Sequence, residues 1–287
     1  MKLDVVVPIY NAYTALKNCL ASLEKNQYQA ENIILINDAS TDKNIDELLK
    51  KYSIANKWKL IKHEKNLGFV KTANEGLKLS ENNTILLNSD TIVTKNWLSA
   101  FKEAIKHNEK LATATAWSNN AEICSFPQFL TNNQPLENPD ILSELLYIYY
   151  HPQYPVIPTA VGFCMLITKL AKQKVGYFDE KHFGHGYGEE NDYSLRAENA
   201  GLINILCDNA YVIHIGNESF ADLGLQPNED SMQRLLQKHP DYLTKIQQYI
   251  NQDPLVKIRK NILSTVKQYN GELYQKLLIE NKRKNEI

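Results

Sequence analysis

No stretch of this 287-residue chain approaches the roughly 18 consecutive apolar residues of a membrane-spanning helix. Charge of one sign is missing too. The 32 Lys and Arg against 33 Asp and Glu leave a formal net charge of −1, so no whole-molecule field draws the chain to nucleic acid or to an anionic bilayer. Cysteine pairs are absent: Cys19, Cys124, Cys164 and Cys207 sit singly among apolar residues and read as buried thiols, not zinc ligands. Glycine-rich phosphate loops are lacking as well. The turn after the first apolar run is Pro8-Ile9-Tyr10-Asn11, where a dinucleotide fold needs G-x-G-x-x-G, and neither a Walker loop nor a G-x-S-x-G elbow occurs. No repeat or low-complexity segment is present. The start of the chain places Asp4 inside what would have to be the apolar region of a signal peptide. It reads as a first strand, and the expectation is a cytoplasmic protein.

What is present is an ordinary globular composition, 43% hydrophobic and 23% charged, arranged as alternating elements. Strands are predicted at Leu3 to Pro8, Asn32 to Asn37, Trp58 to Lys62, around Ile85 to Leu87, and at Leu111 to Ala116. Helices are predicted between them: Tyr13 to Lys25, a segment capped near Ser40-Thr41-Asp42, Phe69 to Leu79, and Asn96 to His107. Such alternation predicts an α/β fold, a mainly parallel sheet flanked by helices. The pattern fails from Trp117 to Pro158, which reads as a substrate-side loop or helical insert. A strand is predicted over Ala160 to Thr168, a helix from Glu189 to a stop at Gly201, and one or two strands within Asn204 to Ile215. The expected division is a domain over 1–225 and a helical C-terminal extension over 226–287, with an apolar stripe at Ile258, Ile262 and Val266 beside basic residues. That extension either packs on its own chain or makes peripheral contact with a membrane.

Carboxylates stand where ligands bind such sheets, at the carboxyl ends of strands. Asp38 ends the second strand, and Asn88-Ser89-Asp90 follows Ile85 to Leu87 without a break. A bare desolvated carboxylate is costly, so each must be solvated, paired or bound to a cation.

The stretches "VVVPIYNA", "INDASTD", "NLGFVKTANEGL", "LLNSDT", "GYGEENDYSLRAENAG" and "VIHIG" follow one another in the order found in family 2 glycosyltransferases, which the chain resembles as far as about Gly216. The resemblance implies the GT-A fold and transfer of a sugar, with inversion, from a UDP- or dTDP-sugar to a glycan or lipid-linked acceptor in surface polysaccharide synthesis. With a net charge of −1, no nucleic-acid partner is expected. A catalytically silent nucleotide-sugar binding module is the alternative, and a sugar nucleotidyltransferase is disfavoured by the missing glycine- and arginine-rich loop.

By the same resemblance Pro8, Tyr10, Asn11, Asp38, Asn66, Gly68, Lys71, Asn88 and Ser89 line the donor site, with Asp38 toward the base. A turn role explains Asp38 as well, and a helix start explains Gly68. Asp90 matches the last aspartate of the D-x-D motif, and His214 a further ligand of a divalent metal, Mn2+ or Mg2+. Asn88 replaces the first aspartate of that motif, lowering the charge at the site by one. Glu190 stands where the family has its catalytic base, and Glu189 beside it is the rival. Asp192 reads as the i,i+4 partner of Arg196.

Overall fold

A computed structural model describes residues 1–184, 186–216 and 229–283. The expected boundary at 225/226 and His185 fall outside them, as do Lys284 and the side chains of Lys282 and Arg283 in the closing basic run. In the first half, β1 (Leu3–Ile9), α1 (Tyr13–Asn26), β2 (Asn32–Asn37), α2 (Lys43–Asn56), β3 (Lys59–Lys62), α3 (Phe69–Leu79) and β4 (Asn83–Leu87) alternate as the sequence predicts. Next come β5 (Thr91–Val93), α4 (Trp97–His107), β6 (Leu111–Trp117) and a short turn of helix at Glu122–Cys124. The second half holds α5 (Pro139–Tyr149), β7 (Cys164–Ile167), α6 (Lys169–Val175), α7 (Glu180–Phe183), α8 (Glu189–Asn199) and β8 (Ile203–His214). Four helices follow: α9 (Glu229–Lys238), α10 (Tyr242–Gln252), α11 (Val256–Tyr269) and α12 (Gly271–Arg283).

The sheet runs β3-β2-β1-β4-β7-β6-β8-β5. β1 pairs in parallel with β2 and β4, β2 with β3, and β6 with β8, because helical crossovers return each strand in the same direction. The edge strand β5 runs antiparallel to β8, and β7 is inserted antiparallel between β4 and β6. The reversed strand delivers its beginning, Gly162 and Phe163, to the edge where its neighbours deliver their ends. Close packing on the sheet depends on Gly76 of α3, since a Cβ there would lie 2.2 Å from Val6 Cγ1.

Strand β7 is shorter than the Ala160-to-Thr168 run expected. The Ala160 N–H donates to Ser194 Oγ (3.0 Å) and the Val161 N–H to Thr115 Oγ1 (3.0 Å), so side chains take donors that a sheet ladder would need. The irregular region 117–158 contains a true helical insert, α5, whose Leu142 and Leu146 are buried. Helix α11 packs on it: Ile258, Ile262 and Val266 are all buried, and the Tyr149 and Tyr269 rings stack at 3.9 Å between centroids. The apolar stripe of the extension therefore faces the protein's own core. Among the described residues no helix is long and apolar enough to cross a membrane.

Candidate functional site

Asp90 and His214 meet at the sheet edge because the backbone puts them there. Thr91 and His214 are register partners in the β5–β8 ladder, and the Ile215 N–H donates to the Asp90 carbonyl (3.0 Å). The two side chains then approach to 3.6 Å between Nε2 and Oδ1. His214 is held on every side: Nδ1 lies 2.8 Å from the Asn120 carbonyl oxygen, and its own N–H and carbonyl both bond the Asn119 side chain. The Phe163 ring stacks on the imidazole at 5.1 Å. The Asn120 carbonyl can only accept, so Nδ1 carries a hydrogen and Nε2 is the ring nitrogen turned toward Asp90. An imidazole fixed through its far nitrogen, beside a buried carboxylate, offers two donor types that divalent metals accept. Among the described residues no group of three His, Cys, Asp or Glu converges on one point, so an ion here needs further ligands from a substrate, as phosphate-bound cations do. The pair fits such an ion. Asn88 is half-buried, and its N–H donates to the Phe163 carbonyl at 2.9 Å. Ser89 is buried between them.

Asp38 is more committed than a base-reading residue need be. Oδ1 accepts from the Leu67 N–H (2.7 Å) and faces His63 Nδ1 (2.7 Å), while Oδ2 accepts from the Gly68 N–H (2.9 Å). An ionised carboxylate offers about four acceptor positions, so one is left for a ligand. His63 also reaches Glu75 through Nε2 (2.7 Å). Burial pulls the His63 imidazole down, but Asp38 and Glu75 outweigh it and raise its pKa. Gly68 has φ +86, and a Cβ on it would stand 2.9 Å from the Gly184 carbonyl, so this turn touches the loop before α8. Asn11 spans β1 and β2: its Oδ1 accepts from the Thr41 N–H (2.9 Å), and its N–H donates to Ser40 Oγ (3.0 Å). Pro8 is buried in β1, Tyr10 is half-buried, and Asn66 and Lys71 are exposed at the start of α3. The predicted donor-side residues thus gather at one edge of the sheet.

Glu189 and Glu190 open α8 behind Gly188. Glu190 Oε2 accepts from the Gly188 N–H (3.3 Å) and Oε1 from the Asn191 amide (3.2 Å). Burial pushes its carboxyl up to about 7. Glu189 is buried with Oε2 unpartnered, and burial, then the neighbouring Glu190, raises it well above the usual range. Only Glu190 opens into a cavity of about 240 Å³ beside the helix start. A Cβ at Gly162 would lie 3.8 Å from Glu190 Cγ, and the next residue is the Phe163 that stacks on His214. The start of β7 therefore joins the carboxylate to the Asp90–His214 pair.

The sequence reading missed what holds α8. Asp192 is fully buried and pairs with Arg196 (2.8 Å) as expected, but also with Lys238 Nζ (2.7 Å) and His239 Nε2 (2.9 Å) at the end of α9. Lys238 reaches Asp179 as well (2.7 Å). Burial raises the Asp192 pKa, and Lys238, His239 and Arg196 overcome it, leaving the group low. The C-terminal helices are thereby fastened to the helix bearing Glu190. No local spacing announces this contact. Asn119, Asn120 and Phe163 were missed for the same reason.

The sequence profile described as Glycosyl transferase family 2 matches residues 4–173. An uncharacterized glycosyltransferase of Bacillus subtilis (strain 168), YwdF, is 27% identical over 247 residues, covering 83% of this chain and 84% of that protein. A poly-beta-1,6-N-acetyl-D-glucosamine synthase of Staphylococcus epidermidis is 26% identical over 178 residues, 62% of this chain but 42% of its own length. Among solved structures, GalNAc-T7 with UDP, GalNAc and Mn2+ superposes with a TM-score of 0.64 at 15% identity, over 92% of this chain and 54% of that one. S. aureus TarS 1-349 in complex with UDP-GlcNAc gives a TM-score of 0.54 at 17% identity, over 94% and 80% of the two chains. At such identities the likeness is one of fold, and the fold is GT-A.

Proposed function

This chain belongs to glycosyl transferase family 2, and we propose that it moves a sugar, with inversion, from a UDP- or dTDP-sugar to a hydroxyl of a glycan or lipid-linked acceptor in surface polysaccharide synthesis. The observation that carries this reading is the continuity of the site. Glu190 meets Gly162, and the adjoining Phe163 stacks on the His214 that faces Asp90. In that arrangement Glu190 takes the proton of the acceptor hydroxyl as its oxygen bonds the anomeric carbon. The bond from that carbon to the diphosphate breaks on the opposite face, and the nucleoside diphosphate leaves with the electron pair. A divalent cation held by Asp90 and His214, manganese or magnesium, would supply neutralisation of the diphosphate charge. Asp38 and the Leu67-Gly68 turn hold the base side of the donor, with Asn11 bracing the two loops. The relatives named for N-acetylglucosamine polymer synthesis and for a UDP-GlcNAc complex support the donor class.

A cytoplasmic site of action, with peripheral membrane contact through the basic C-terminal helices, belongs to the same reading. Co-sedimentation with anionic liposomes at low salt tests the contact, and failure to co-sediment removes it. The central experiment is a screen of UDP- and dTDP-sugars for nucleoside diphosphate release. Release above the uncatalysed rate is expected. Binding without release from any donor would make the chain a nucleotide-sugar binding module instead.

A further inference from the structure

The cavity beside Glu190 has a wall that the transfer chemistry does not require. At about 240 Å³ it falls below the roughly 300 Å³ at which sites for drug-sized ligands begin, so it takes one sugar ring and its substituents. Thr159, Ala160 and Val161 line it beside Glu190, and Glu122 stands at its margin. The remaining wall comes from the C-terminal helices, through Met232 and Leu235 of α9 and Tyr242, Ile246 and Ile250 of α10. These helices are fixed relative to Glu190 by the Lys238 and His239 contacts to buried Asp192.

The lining has a definite charge character. Among the described residues it contains no Lys, Arg or His, while Glu122 and Glu190 contribute two carboxylates. A phosphate or carboxylate group placed there would face the Glu122 and Glu190 carboxyl groups across a largely apolar space, with no cation among the described lining residues to offset its charge. After burial, the same two carboxylates also raise the Tyr242 phenol, which keeps that hydroxyl a hydrogen-bond donor. An uncharged ring is different: its hydroxyls can meet Glu190 and Tyr242 while a methyl-bearing substituent covers the aliphatic side chains.

Resting on the transferase reading, we infer that this cavity is an acceptor subsite walled by the C-terminal extension. It selects an uncharged sugar bearing an acetamido or 6-deoxy methyl group, which lies against Met232, Ile246 and Ile250. The full-length protein is tested by saturation-transfer NMR with methyl N-acetyl-β-glucosaminide and methyl β-glucuronide, with UDP affinity measured in parallel. The acetamido methyl should receive the strongest saturation, and the glucuronide should bind at least about tenfold more weakly, the discrimination expected when one group is mismatched to its pocket. Ile246→Trp, which fills the half-buried site, should weaken the glucosaminide about tenfold and leave UDP affinity unchanged. Ile250→Ala, a milder change, should act in the same direction by a few-fold. Equal binding of the glucuronide, or unaltered glucosaminide binding in both variants, overturns the inference. Failure of the wild type to bind or turn over any UDP- or dTDP-sugar, with glucosaminide binding retained, would instead bring down the transferase reading and leave a sugar-binding pocket.

Discussion

His214 Nε2 stands 3.6 Å from Asp90 Oδ1, a separation fixed by the Thr91–His214 register and not by the two side chains. The gap is too long for a hydrogen bond. It is a gap suited to an ion. Donor turnover is therefore expected to stop in excess chelator and to return with Mn2+. Asp90→Ala should lose most activity while remaining folded. Asn119→Ala, which releases His214 without removing it, should weaken Mn2+ affinity by about 10- to 100-fold, so that more of the ion is needed for the same turnover. Titration of turnover against Mn2+ for these proteins measures it, and full turnover in excess chelator would refute the metal assignment.

Glu190→Gln keeps size and hydrogen bonding but abolishes proton acceptance, so turnover should fall by about 10²- to 10⁴-fold with donor affinity nearly unchanged. The working base is the ionised form. With its carboxyl pushed up to about 7, kcat/KM should climb with pH and level off above that value. The variant should lose this acidic limb. A dead Glu189→Gln beside an active Glu190→Gln would place the base one residue earlier.

Glu189 carries a stability signature of its own. Its carboxyl is raised well above 4.5, so the folded state binds that proton more tightly than the unfolded chain does. Stability is then complete below about pH 4.5 and declines as pH rises through the folded value. Glu189→Gln should leave the melting temperature unchanged near pH 4.5 and raise it by a few degrees at pH 8. Melting curves of both proteins at the two pH values decide the matter, and an equal or lower melting temperature at pH 8 contradicts it.

Removing Asp192 leaves Lys238, His239 and Arg196 without their shared anion. Asp192→Ala is expected to cost about 3–5 kcal/mol, the range for breaking a buried ion pair from one side. Urea unfolding measures the loss, and limited proteolysis should show earlier cleavage within the C-terminal helices. Asp192 and Asp179 are both held below the ordinary carboxylate value. Their contribution is present above about pH 4 and is lost as pH falls further.

What the sequence disclosed is what local pattern encodes. The break from Ile85–Leu87 to Asn88-Ser89-Asp90 located the end of β4, and the predicted bounds of α3 coincide with the observed Phe69–Leu79. Short helices such as α6 and α7 carry too little periodicity to be read. The clamp on His214 joins residues 95 positions apart, and Asp192 meets His239 across 47, distances at which no spacing rule operates. The stripe at Ile258, Ile262 and Val266 was legible as apolar, but its partner α5 lay in the segment where the pattern failed.

The placement of β8 sets a timetable. β1 to β4 assemble from the first 87 residues, so the donor-side loops around Asp38 and Gly68 can form early on a chain that folds from its N-terminus as it is made. β5 has no ladder until β8 arrives, and long-range pairings of that kind are the slow ones. A ribosome-bound intermediate ending before residue 203 would hold Asp38, Asp90 and Glu190 yet lack the histidine that faces Asp90. The Asp90–His214 pairing thus forms only after β8 has been made.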